Sequence, residues 1–253
     1  MPNPPVYKVP SFGGDLGEAL PFRMRYKHIF FDLDDTLWDS KRNSSEAVRE
    51  IFDRHRLDAG FGLEVRVFVD SFHEVNYALW DRYSDGEITQ EELRQTRFPL
   101  VFKALGLRGT AICAALQQDY IQLAPRKPHL MPHAKELLEY LKVNYRLHII
   151  TNGFDDVQSV KLRTAGIDGY FSEIITSLRA GCQKPNREIF DFARTCARAQ
   201  PADCLMVGDS LRADIAGAEN AGMDHVFYNH NRIAHQAKPT HEIHSLRELM
   251  EML

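Results

Sequence analysis

The stretch FFDLDDTLWDS, residues 30–40, places three aspartates within four positions directly after an apolar run. The segment KHIFFDL, residues 27–33, has the apolar and β-favouring composition of a strand. A buried strand ordinarily stops well before so much negative charge, because an unpaired buried carboxylate is costly. The charge at this strand end therefore needs an explanation, and the rest of the chain supplies one.

Four further segments are nearly continuous in apolar residues rather than alternating: RLHIITNG (residues 146–153), SEIITS (172–177), CLMVGDS (204–210) and HVFYN (225–229). Strands that are buried on both faces have this pattern, and parallel sheets are buried in this way. Helical patterns accompany them at residues 132–144, 155–166, 185–199, 210–222 and 245–253. Strand alternating with helix predicts an α/β fold with a Rossmann-like, doubly wound parallel sheet.

The interval from residue 41 to residue 128 breaks this alternation, because it has helical patterns and no convincing strand. Four helices are expected there, at residues 44–55, 64–86, 89–106 and 111–124. An all-helical insertion after the first strand predicts a second, smaller domain at residues 41–128. The sheet core then consists of residues 25–40 and 129–253, and the Pro- and Gly-rich residues 1–24 form an N-terminal extension.

The composition excludes several classes of protein. The chain has 253 residues, of which 44% are hydrophobic and 26% charged, as in ordinary globular proteins. The formal net charge of −4 gives no basic stripe for a nucleic-acid backbone, and no apolar stretch approaches the ~20 residues that cross a bilayer. We therefore expect neither a nucleic acid polymer nor a membrane as a partner.

Cysteine usage indicates the compartment. The four cysteines form no C-x-x-C pair and suggest no disulfide framework, so buried reduced thiols are expected. The N-terminal residues lack the long apolar segment of a secretory signal. We therefore predict a reducing compartment, most simply the cytoplasm, for this protein. The four cysteines are Cys113, Cys182, Cys196 and Cys204.

Polar residues of a particular kind follow four of the predicted strands. In open α/β sheets, ligands bind beyond the carboxyl ends of the strands, so we expect these residues to converge. They are Asp32, Asp34 and Asp35 after the first strand, Thr151, Asn152 and Gly153 at the second, Lys184 after the third, and Asp209 and Asp214 after the fourth.

The chemistry of this set points to a metal next to a phosphate. Gathered carboxylates repel one another unless they are neutralised or bind a cation. Asp32, Asp34 and Asp209 offer hard oxygen ligands suited to Mg²⁺. The side chains and free backbone N–H groups of residues 151–153 suit an anion, and Lys184 adds a positive charge. Each feature alone has an ordinary explanation as a turn, a helix cap or a surface lysine, but their joint placement favours a site.

These segments resemble the motifs of the haloacid dehalogenase-like hydrolase superfamily. The motifs occur in the family's order: D-x-D-x-T-L at residues 32–37, T-N-G at 151–153, K-P at 184–185 and G-D-S-x-x-x-D at 208–214. The resemblance extends from about Lys27 to the C-terminus, and the helical insertion resembles the superfamily's helical cap.

A narrower resemblance is to cytosolic pyrimidine 5′-nucleotidases, which act on nucleoside monophosphates. It rests on LWDRYSDGEIT (residues 79–89), IITNGF (149–154) and KPNREIFDFA (184–193). One segment departs from it. LRAGCQKP, residues 178–185, stands where such sequences more often carry acidic and small residues, so Arg179 and Cys182 are candidates for altered substrate contacts.

The superfamily resemblance implies a role for each aspartate of the first motif. Asp32 is the implied nucleophile, which attacks phosphorus and forms an aspartyl-phosphate. Asp34 is the implied general acid and base, which protonates the leaving group and then deprotonates the hydrolytic water. Positions two apart in a strand share a side, so both side chains are expected in one cavity. The implied Mg²⁺ ligands are Asp32, the backbone carbonyl of Asp34, and Asp209.

The other motifs have supporting roles by the same resemblance. Lys184 neutralises Asp32 and the phosphoryl oxygens. Thr151 and the amides that follow it hold the phosphate. Asp214 steadies Lys184 or a metal-bound water from outside the ligand set. Asp35 is expected to cap the turn into the next segment.

Aromatic residues of the insertion are candidates for contact with a nucleobase. They recur at helical spacing, and such a stripe more often faces a hydrophobic core than a ligand. The residues are Phe68, Phe72, Tyr77, Trp80 and Tyr83. His73 and Arg82 are expected at the surface, and the histidines near the C-terminus are interpreted as incidental.

Three other functions share parts of this pattern. A haloacid dehalogenase lacks the acid/base carboxylate at the position of Asp34 and needs no Mg²⁺. A phosphomutase uses the same residues, but the insertion shows no extra basic signature for it. A phospho-accepting receiver domain also gathers Asp, Thr and Lys on a doubly wound sheet, but it has no helical insertion after the first strand.

The sequence therefore predicts a Mg²⁺-dependent phosphomonoesterase that works through an aspartyl-phosphate. A nucleoside 5′-monophosphate, pyrimidine above all, is the expected substrate, and a sugar phosphate or phosphoglycolate is the alternative. The expected partner is a small-molecule phosphomonoester. The oligomeric state is left open, and a homodimer is among the states that the sequence allows.

Overall fold

The computed structural model describes residues 25–108 and 110–253, so the predicted extension, residues 1–24, lies outside the described residues. The strands are β1 (His28–Phe31), β2 (Arg146–Thr151), β3 (Phe171–Thr176), β4 (Cys204–Gly208), β5 (Asp224–Tyr228) and β6 (His241–Ile243). They form one parallel sheet in the order β3-β2-β1-β4-β5-β6. The predicted doubly wound α/β fold is confirmed.

Helices flank this sheet and fill the interval after β1. Before β2 they are α1 (Ser40–Arg54), α2 (Leu57–Phe61), α3 (Val65–Ser84), α4 (Gln90–Ala104), α5 (Cys113–Leu123) and α6 (Ala134–Leu141). After β2 they are α7 (Asp155–Thr164), α8 (Ser177–Ala180), α9 (Arg187–Ala197), α10 (Ala216–Asn220) and α11 (Leu246–Met252). Within the described ranges, no helix has both the length and the apolar composition that crossing a membrane requires.

The central position of β1 explains its continuous apolar sequence. It lies between β2 and β4, and Phe31 is in register with Ile149 and Val207. All four residues of the strand are buried. Ile29 and Phe31 belong to the hydrophobic cluster on one face of the sheet, and Phe30 belongs to the cluster on the other face. A strand between two such layers has no solvated face that would need polar residues.

Each face of the sheet is covered by amphipathic helices. Leu137 of α6 and Leu249 of α11 are fully buried in one cluster. Ile189 and Phe190 of α9 and Ala218 of α10 are fully buried in the other. The apolar residues of these helices recur at helical spacing, which is why the sequence predicts both layers.

Three short elements were not predicted. β6 has three residues, of which only Ile243 is apolar, α2 has five residues, and α8 has four. β6 pairs with the edge of β5, where Tyr228 is in register with Ile243. A three-residue strand is too short to show periodicity, so its existence depends on the neighbouring strand rather than on its own sequence.

The cysteines only partly match the expectation of buried thiols. All four are free, in agreement with a reduced chain. Cys113 and Cys204 are buried, whereas Cys182 and Cys196 are partly exposed, so the expectation of burial is wrong for those two. Both side chains pack against the hydrophobic cluster of the sheet that contains Phe30.

The helices α1 to α5 form a hydrophobic core of their own. Ile51 of α1, Phe68 and Phe72 of α3, Phe98 of α4 and Leu116 of α5 are fully buried in it. The cluster shares no buried residue with the two clusters of the sheet. The insertion is therefore packed as a unit, and we call it the cap.

Two adjacent segments connect the cap to the sheet. Trp38 forms an antiparallel bridge with Leu130, and the Asp39 amide donates to the His129 carbonyl oxygen at 3.1 Å. The chain thus leaves and re-enters the core side by side. The range expected for the insertion, residues 41–128, lies just inside this pairing.

A histidine pair is buried in the sheet. His28 Nδ1 and His148 Nε2 are 3.0 Å apart, and the ring of His148 stacks on that of Phe30 at 4.6 Å. Burial, reinforced by the charges of His28 and Arg146, lowers the pKa of His148 from 6.5 to about 4. The imidazole is therefore neutral in the folded protein at neutral pH.

We expect the free energy of unfolding to fall as the pH drops from about 6.5 to about 4, because the unfolded chain protonates His148 there and the folded chain does not. His148→Phe keeps an aromatic ring and removes this titration. Over the same pH range, the free energy of unfolding of the variant should therefore fall by up to about 3 kcal/mol less than that of the wild type. Urea unfolding of both proteins at several pH values measures the difference. Parallel declines in the two proteins would contradict the prediction.

Candidate active site

A cavity of about 300 Å³ lies between the carboxyl end of the sheet and the cap. It adjoins β1 and β4, where the strand order reverses, which is the place where doubly wound sheets bind ligands. The sheet side contributes Asp32, Asp34, Thr151, Asn152, Gly153 and Asp209, and the cap contributes Asn76, Tyr77, Trp80, Arg94, Arg97 and Tyr120. The sheet side is acidic and polar, whereas the cap side is aromatic and basic.

Three carboxylates form a compact cluster at the base of this site. Oxygen atoms of Asp32, Asp209 and Asp214 lie within 4.8 Å of one another. Burial, reinforced by neighbouring carboxylates, raises the pKa of Asp32 to about 7 and the pKa of Asp209 well above its usual range. A divalent cation would relieve this repulsion, and carboxylate oxygens are ligands that Mg²⁺ prefers. The residues present therefore fit a metal ion.

Asp34 was expected to bind the metal through its backbone carbonyl, and its side chain is held by other groups. Its carboxylate accepts hydrogen bonds from Lys161 Nζ at 2.6 Å and from Gln158 Nε2 and Ser40 Oγ, both at 2.9 Å. Burial alone would raise the pKa of Asp34, but Lys161, with the hydrogen bonds of Gln158 and Ser40, outweighs it and holds the pKa below its usual value. Asp214 takes the third place in the cluster, which leaves the Asp34 backbone carbonyl as the candidate ligand.

Lys161 and Gln158 belong to the site, although the sequence pattern did not identify them. They lie three residues apart on one face of α7, and both are buried. Gln158 Nε2 also donates to Thr151 Oγ1 at 2.7 Å, and Lys161 Nζ lies 4.3 Å from the centre of the Trp38 ring. The available signal was a pair of polar residues one turn apart, directly after the T-N-G segment. Solvated helix faces have the same pattern, so the spacing alone could not identify them.

Lys184 is the cation of the acidic cluster. It is 2% exposed, and its Nζ donates to Asp32 Oδ1 and Asp214 Oδ1, both at 2.6 Å, and to the Ile150 carbonyl oxygen at 2.8 Å. Burial alone would lower the pKa of Lys184, but Asp214 and Asp32 outweigh it and raise the pKa above its usual value. The ammonium is therefore charged, and the expected contact between Asp214 and Lys184 is present.

Gly208, the last residue of β4, permits this arrangement. Asp214 folds back over the strand end, where its Oδ2 accepts from the Ser210 amide at 3.0 Å. A Cβ atom at position 208 would lie 2.2 Å from Asp214 Oδ2, so no other residue fits without displacing the carboxylate. Asp214 lies in a π-helical turn, Leu211–Ile215, where an α-helix was predicted.

The T-N-G segment is arranged differently from the expectation. The Asn152 side chain accepts from the Lys184 amide at 2.8 Å and donates to the Lys184 carbonyl oxygen at 3.0 Å. The Gly153 amide, expected to be free for a phosphate, donates to Thr151 Oγ1 at 3.0 Å. Since Thr151 Oγ1 accepts from both Gly153 and Gln158, its own proton is left to donate. The Thr151 hydroxyl is therefore the side-chain donor that this segment offers to an anion.

Asp35 has the turn-forming role that was expected. Its Oδ1 accepts from the Ser40 amide at 3.0 Å, directly before α1. Its backbone has a φ of 60°, a left-handed conformation that aspartate tolerates better than most residues. Burial, with the charge of Asp34 nearby, raises the pKa of Asp35 to about 7.

The aromatic residues of α3 separate into two groups. Tyr77 and Trp80 line the cavity. Phe68 and Phe72 are fully buried in the core of the cap, and Tyr83 is buried against the core domain. Of these five aromatic residues, only Tyr77 and Trp80 are therefore placed where they could contact a nucleobase.

Four other residues singled out from the sequence lie away from the cavity lining. Arg82 is half-exposed, as expected, but His73 is 9% exposed, so its expected surface position is wrong. Arg179 pairs with Glu173 at 3.0 Å, and Cys182 is partly buried nearby. The expected effect of Arg179 and Cys182 on substrate contacts has no support in this arrangement.

Contacts between the cap and the core enclose the cavity. Trp80 stacks on Phe154 with ring centroids 5.1 Å apart. Arg94 lies over the same ring at 4.8 Å, and its Nη2 is 2.9 Å from both carboxylate oxygens of Asp156. Phe154 directly follows the T-N-G segment, so the cap closes over the part of the core that holds Thr151.

Known proteins share this sequence and fold. A family described as haloacid dehalogenase-like hydrolase matches residues 26–222. The pyrimidine 5′-nucleotidase YjjG of Escherichia coli is 32% identical over 233 residues, which cover 91% of this chain and 99% of YjjG. The pyrimidine 5′-nucleotidase PynA of Streptococcus pneumoniae is 30% identical over 234 residues, which cover 91% of this chain and 96% of PynA. The magnesium-bound crystal structure of the HAD-hydrolase YfnB from Bacillus subtilis matches with a TM-score of 0.79 and 31% identity, over 90% of this chain and 98% of that one.

We expect Mg²⁺ to bind more tightly as the pH rises from about 6 to about 8, because Asp32 and Asp209 must lose protons before they coordinate a cation. Asp209→Asn should weaken binding at least about tenfold, whereas the exposed Asp168→Asn should not change it. Isothermal titration calorimetry in two buffers of different ionisation enthalpy measures both the affinity and the protons released. An affinity independent of pH would contradict the prediction.

Proposed function

The chain belongs to the haloacid dehalogenase-like hydrolase family, and we propose that it is a Mg²⁺-dependent phosphomonoesterase with Asp32 as its nucleophile. One observation carries this proposal. Asp32 and Asp34 line the same cavity, and Asp32 lies at once against Lys184 and within the acidic cluster. A nucleophile, a proton carrier, a cation and a candidate metal site are thereby within reach of one bound phosphate.

In the first step, an Asp32 oxygen attacks phosphorus while the bond to the leaving alkoxide breaks. Lys184 holds Oδ1 of Asp32, whereas Oδ2 accepts no hydrogen bond from the described residues and is left for the attack. Because Lys161 holds Asp34 ionised, the proton enters with the monoanionic phosphate ester: Asp34 takes it from the phosphate and passes it to the alkoxide as it departs. In the second step, Asp34 takes a proton from water, the water oxygen bonds to phosphorus, and phosphate leaves Asp32.

Asp32, Asp209 and the Asp34 carbonyl would hold the Mg²⁺, with Asp214 beside them. When bound, Mg²⁺ offsets the negative charges of the nucleophile and the phosphate and polarises the phosphoryl group. Lys184 neutralises Asp32 from the other side, and the Thr151 hydroxyl donates to a phosphoryl oxygen. The acidic cluster and the Asp34 carboxylate argue against a dehalogenase, which needs neither.

The favoured substrates are nucleoside 5′-monophosphates, pyrimidine nucleotides above all. Two relatives at 30% and 32% identity are named pyrimidine 5′-nucleotidases, and both match over nearly their whole length. The cavity of about 300 Å³ has the volume of a small-ligand site, and Tyr77 and Trp80 offer aromatic surfaces to a base. Sugar phosphates and phosphoglycolate are the alternative that the test below includes.

We expect Mg²⁺-dependent phosphate release, with the highest kcat/KM for UMP, dUMP or dTMP. A panel that also holds purine nucleotides, CMP, sugar phosphates and phosphoglycolate measures this preference, with and without Mg²⁺. Asp32→Asn should lower kcat by about 10⁴-fold or more, because the nucleophile is lost. The variant should remain folded, with a cooperative melting transition like that of the wild type. Full activity after exhaustive chelation, or an active Asp32→Asn variant, would contradict the proposal.

Lys161 provides a second test, because it holds the carboxylate that protonates the leaving group. Lys161→Met should lower kcat/KM for UMP by about 10- to 100-fold and should affect p-nitrophenyl phosphate much less, since nitrophenolate leaves without a proton. Lys161→Arg should restore part of the activity, and Lys135→Met, at an exposed site on α6, is the matched control. Equal losses on both substrates would show that Lys161 does not position Asp34.

A further inference from the structure

A buried arginine of the cap has no carboxylate partner in the part of the chain that the structure describes. Arg97 of α4 is 3% exposed. Its Nη1 donates to Gln117 Oε1 at 3.3 Å, and its guanidinium lies 4.8 Å from the centre of the Tyr120 ring. Within residues 25–108 and 110–253, it takes part in no ion pair, and its Nε has no hydrogen-bond partner. A buried guanidinium has five N–H donors and a full positive charge, and one neutral amide and one aromatic ring satisfy only part of them.

The contrast with Arg94, one helical turn away, is direct. Arg94 also lines the cavity, but both carboxylate oxygens of Asp156 lie 2.9 Å from its Nη2. Burial lowers the pKa of Arg97, although an arginine at that position still carries its charge at neutral pH. Unpaired buried charges destabilise a fold, so an arginine kept in this state indicates a partner that arrives from outside the chain.

Arg97 lines the same cavity as Asp32, from the cap side. Asn76 of α3 also lines this cavity from the cap; it is 8% exposed, and its Oδ1 has no hydrogen-bond partner among the described residues. Tyr120 and Trp80 supply flat apolar surface to the same cavity. The wall opposite the phosphate site thus presents a charged donor, an amide with an unfilled acceptor, and aromatic rings.

We propose that Arg97 and Asn76 form the subsite for the leaving group, and that they recognise a planar ring with a carbonyl oxygen next to an N–H group. The Arg97 guanidinium would donate to the carbonyl oxygen, and the Asn76 carbonyl oxygen would accept from the N–H. Uracil and thymine have this edge, whereas cytosine has an acceptor nitrogen and an amino group instead. A carboxylate would satisfy Arg97 but would offer Asn76 Oδ1 no donor. The inference rests on the proposed phosphomonoesterase function, whose substrate class it narrows.

The test compares two esters that share the phosphate chemistry and differ in the leaving group. Arg97→Met should lower kcat/KM for UMP by about 10- to 100-fold, the range expected for a lost hydrogen bond to a charged group. p-Nitrophenyl phosphate, which lacks the edge, should change less than about threefold. Arg97→Lys should fall between Arg97→Met and the wild type. Arg66→Met removes an exposed arginine of α3 and is the matched control.

Two readouts are independent of turnover. UMP binding to the Asp32→Asn protein should weaken by the same factor when Arg97→Met is added, as measured by calorimetry. The melting temperature of Arg97→Met should equal or exceed that of the wild type, because an unpaired buried charge is removed. A lower melting temperature with equal losses on both esters would mean that Arg97 is structural, and would overturn the proposal.

The remaining outcomes separate this inference from the proposed function. Arg97→Met with unchanged preference for UMP over p-nitrophenyl phosphate would overturn the subsite and leave the phosphomonoesterase in place. A third outcome is that the protein does not accept UMP and that Arg97→Met abolishes its hydrolysis of phosphoglycolate. Arg97 would then bind a carboxylate instead of a ring carbonyl, and the assignment would be overturned. No phosphate release from any ester would defeat the proposed function, whereas UMP binding that weakens with Arg97→Met would still support the subsite.

Discussion

The buried ammonium group of Lys184 donates to Asp32 and Asp214 at 2.6 Å each, and the rest of the site is built around this pair of contacts. Without that positive charge, the carboxylates of the acidic cluster would repel one another in an environment that water does not screen. The Asn152 amide binds the backbone of Lys184 on both sides, so the position of the ammonium is fixed from the end of β2. Residues from four strand ends thereby act on one point, because the carboxyl ends of parallel strands meet at one edge of the sheet.

This geometry explains which parts could be predicted from the sequence. Strands buried on both faces are continuous in apolar residues, so the polar residues that end them, such as Asp32 and Asp209, stand out at once. Lys161 and Arg97 belong to helices, where the spacing of a cavity-facing residue is the same as that of a core or a solvated residue. Their importance depends on which side of the helix faces the cavity, and only packing determines that. The Asn152 side chain was misjudged for a related reason, since a segment that suits an anion can equally bind a neighbouring loop.

The two layers of the molecule divide the recognition of a ligand between them. The sheet edge presents the groups that suit a phosphate and a cation, and the cap presents aromatic rings and arginines. On α4, Arg94 is paired with Asp156 of the core, whereas Arg97 one turn further on has no carboxylate partner among the described residues. One helix therefore both fastens the cap to the core and carries the unpaired charge. A ligand that satisfies Arg97 would settle α4 in the position where Arg94 meets its partner.

The short connection at Trp38 has a consequence for the proposed proton carrier. Ser40, the first residue of α1, donates to Asp34 at 2.9 Å, and only a tight turn separates the two. Rotation of the cap away from the core would therefore also withdraw a hydrogen bond from the carboxylate proposed to carry the proton. Lys161 and Gln158 would still hold that carboxylate from the core, so the proton carrier would keep two of its three side-chain partners. The turn that tethers the cap thereby makes the hydrogen bonding of Asp34 sensitive to the position of the cap.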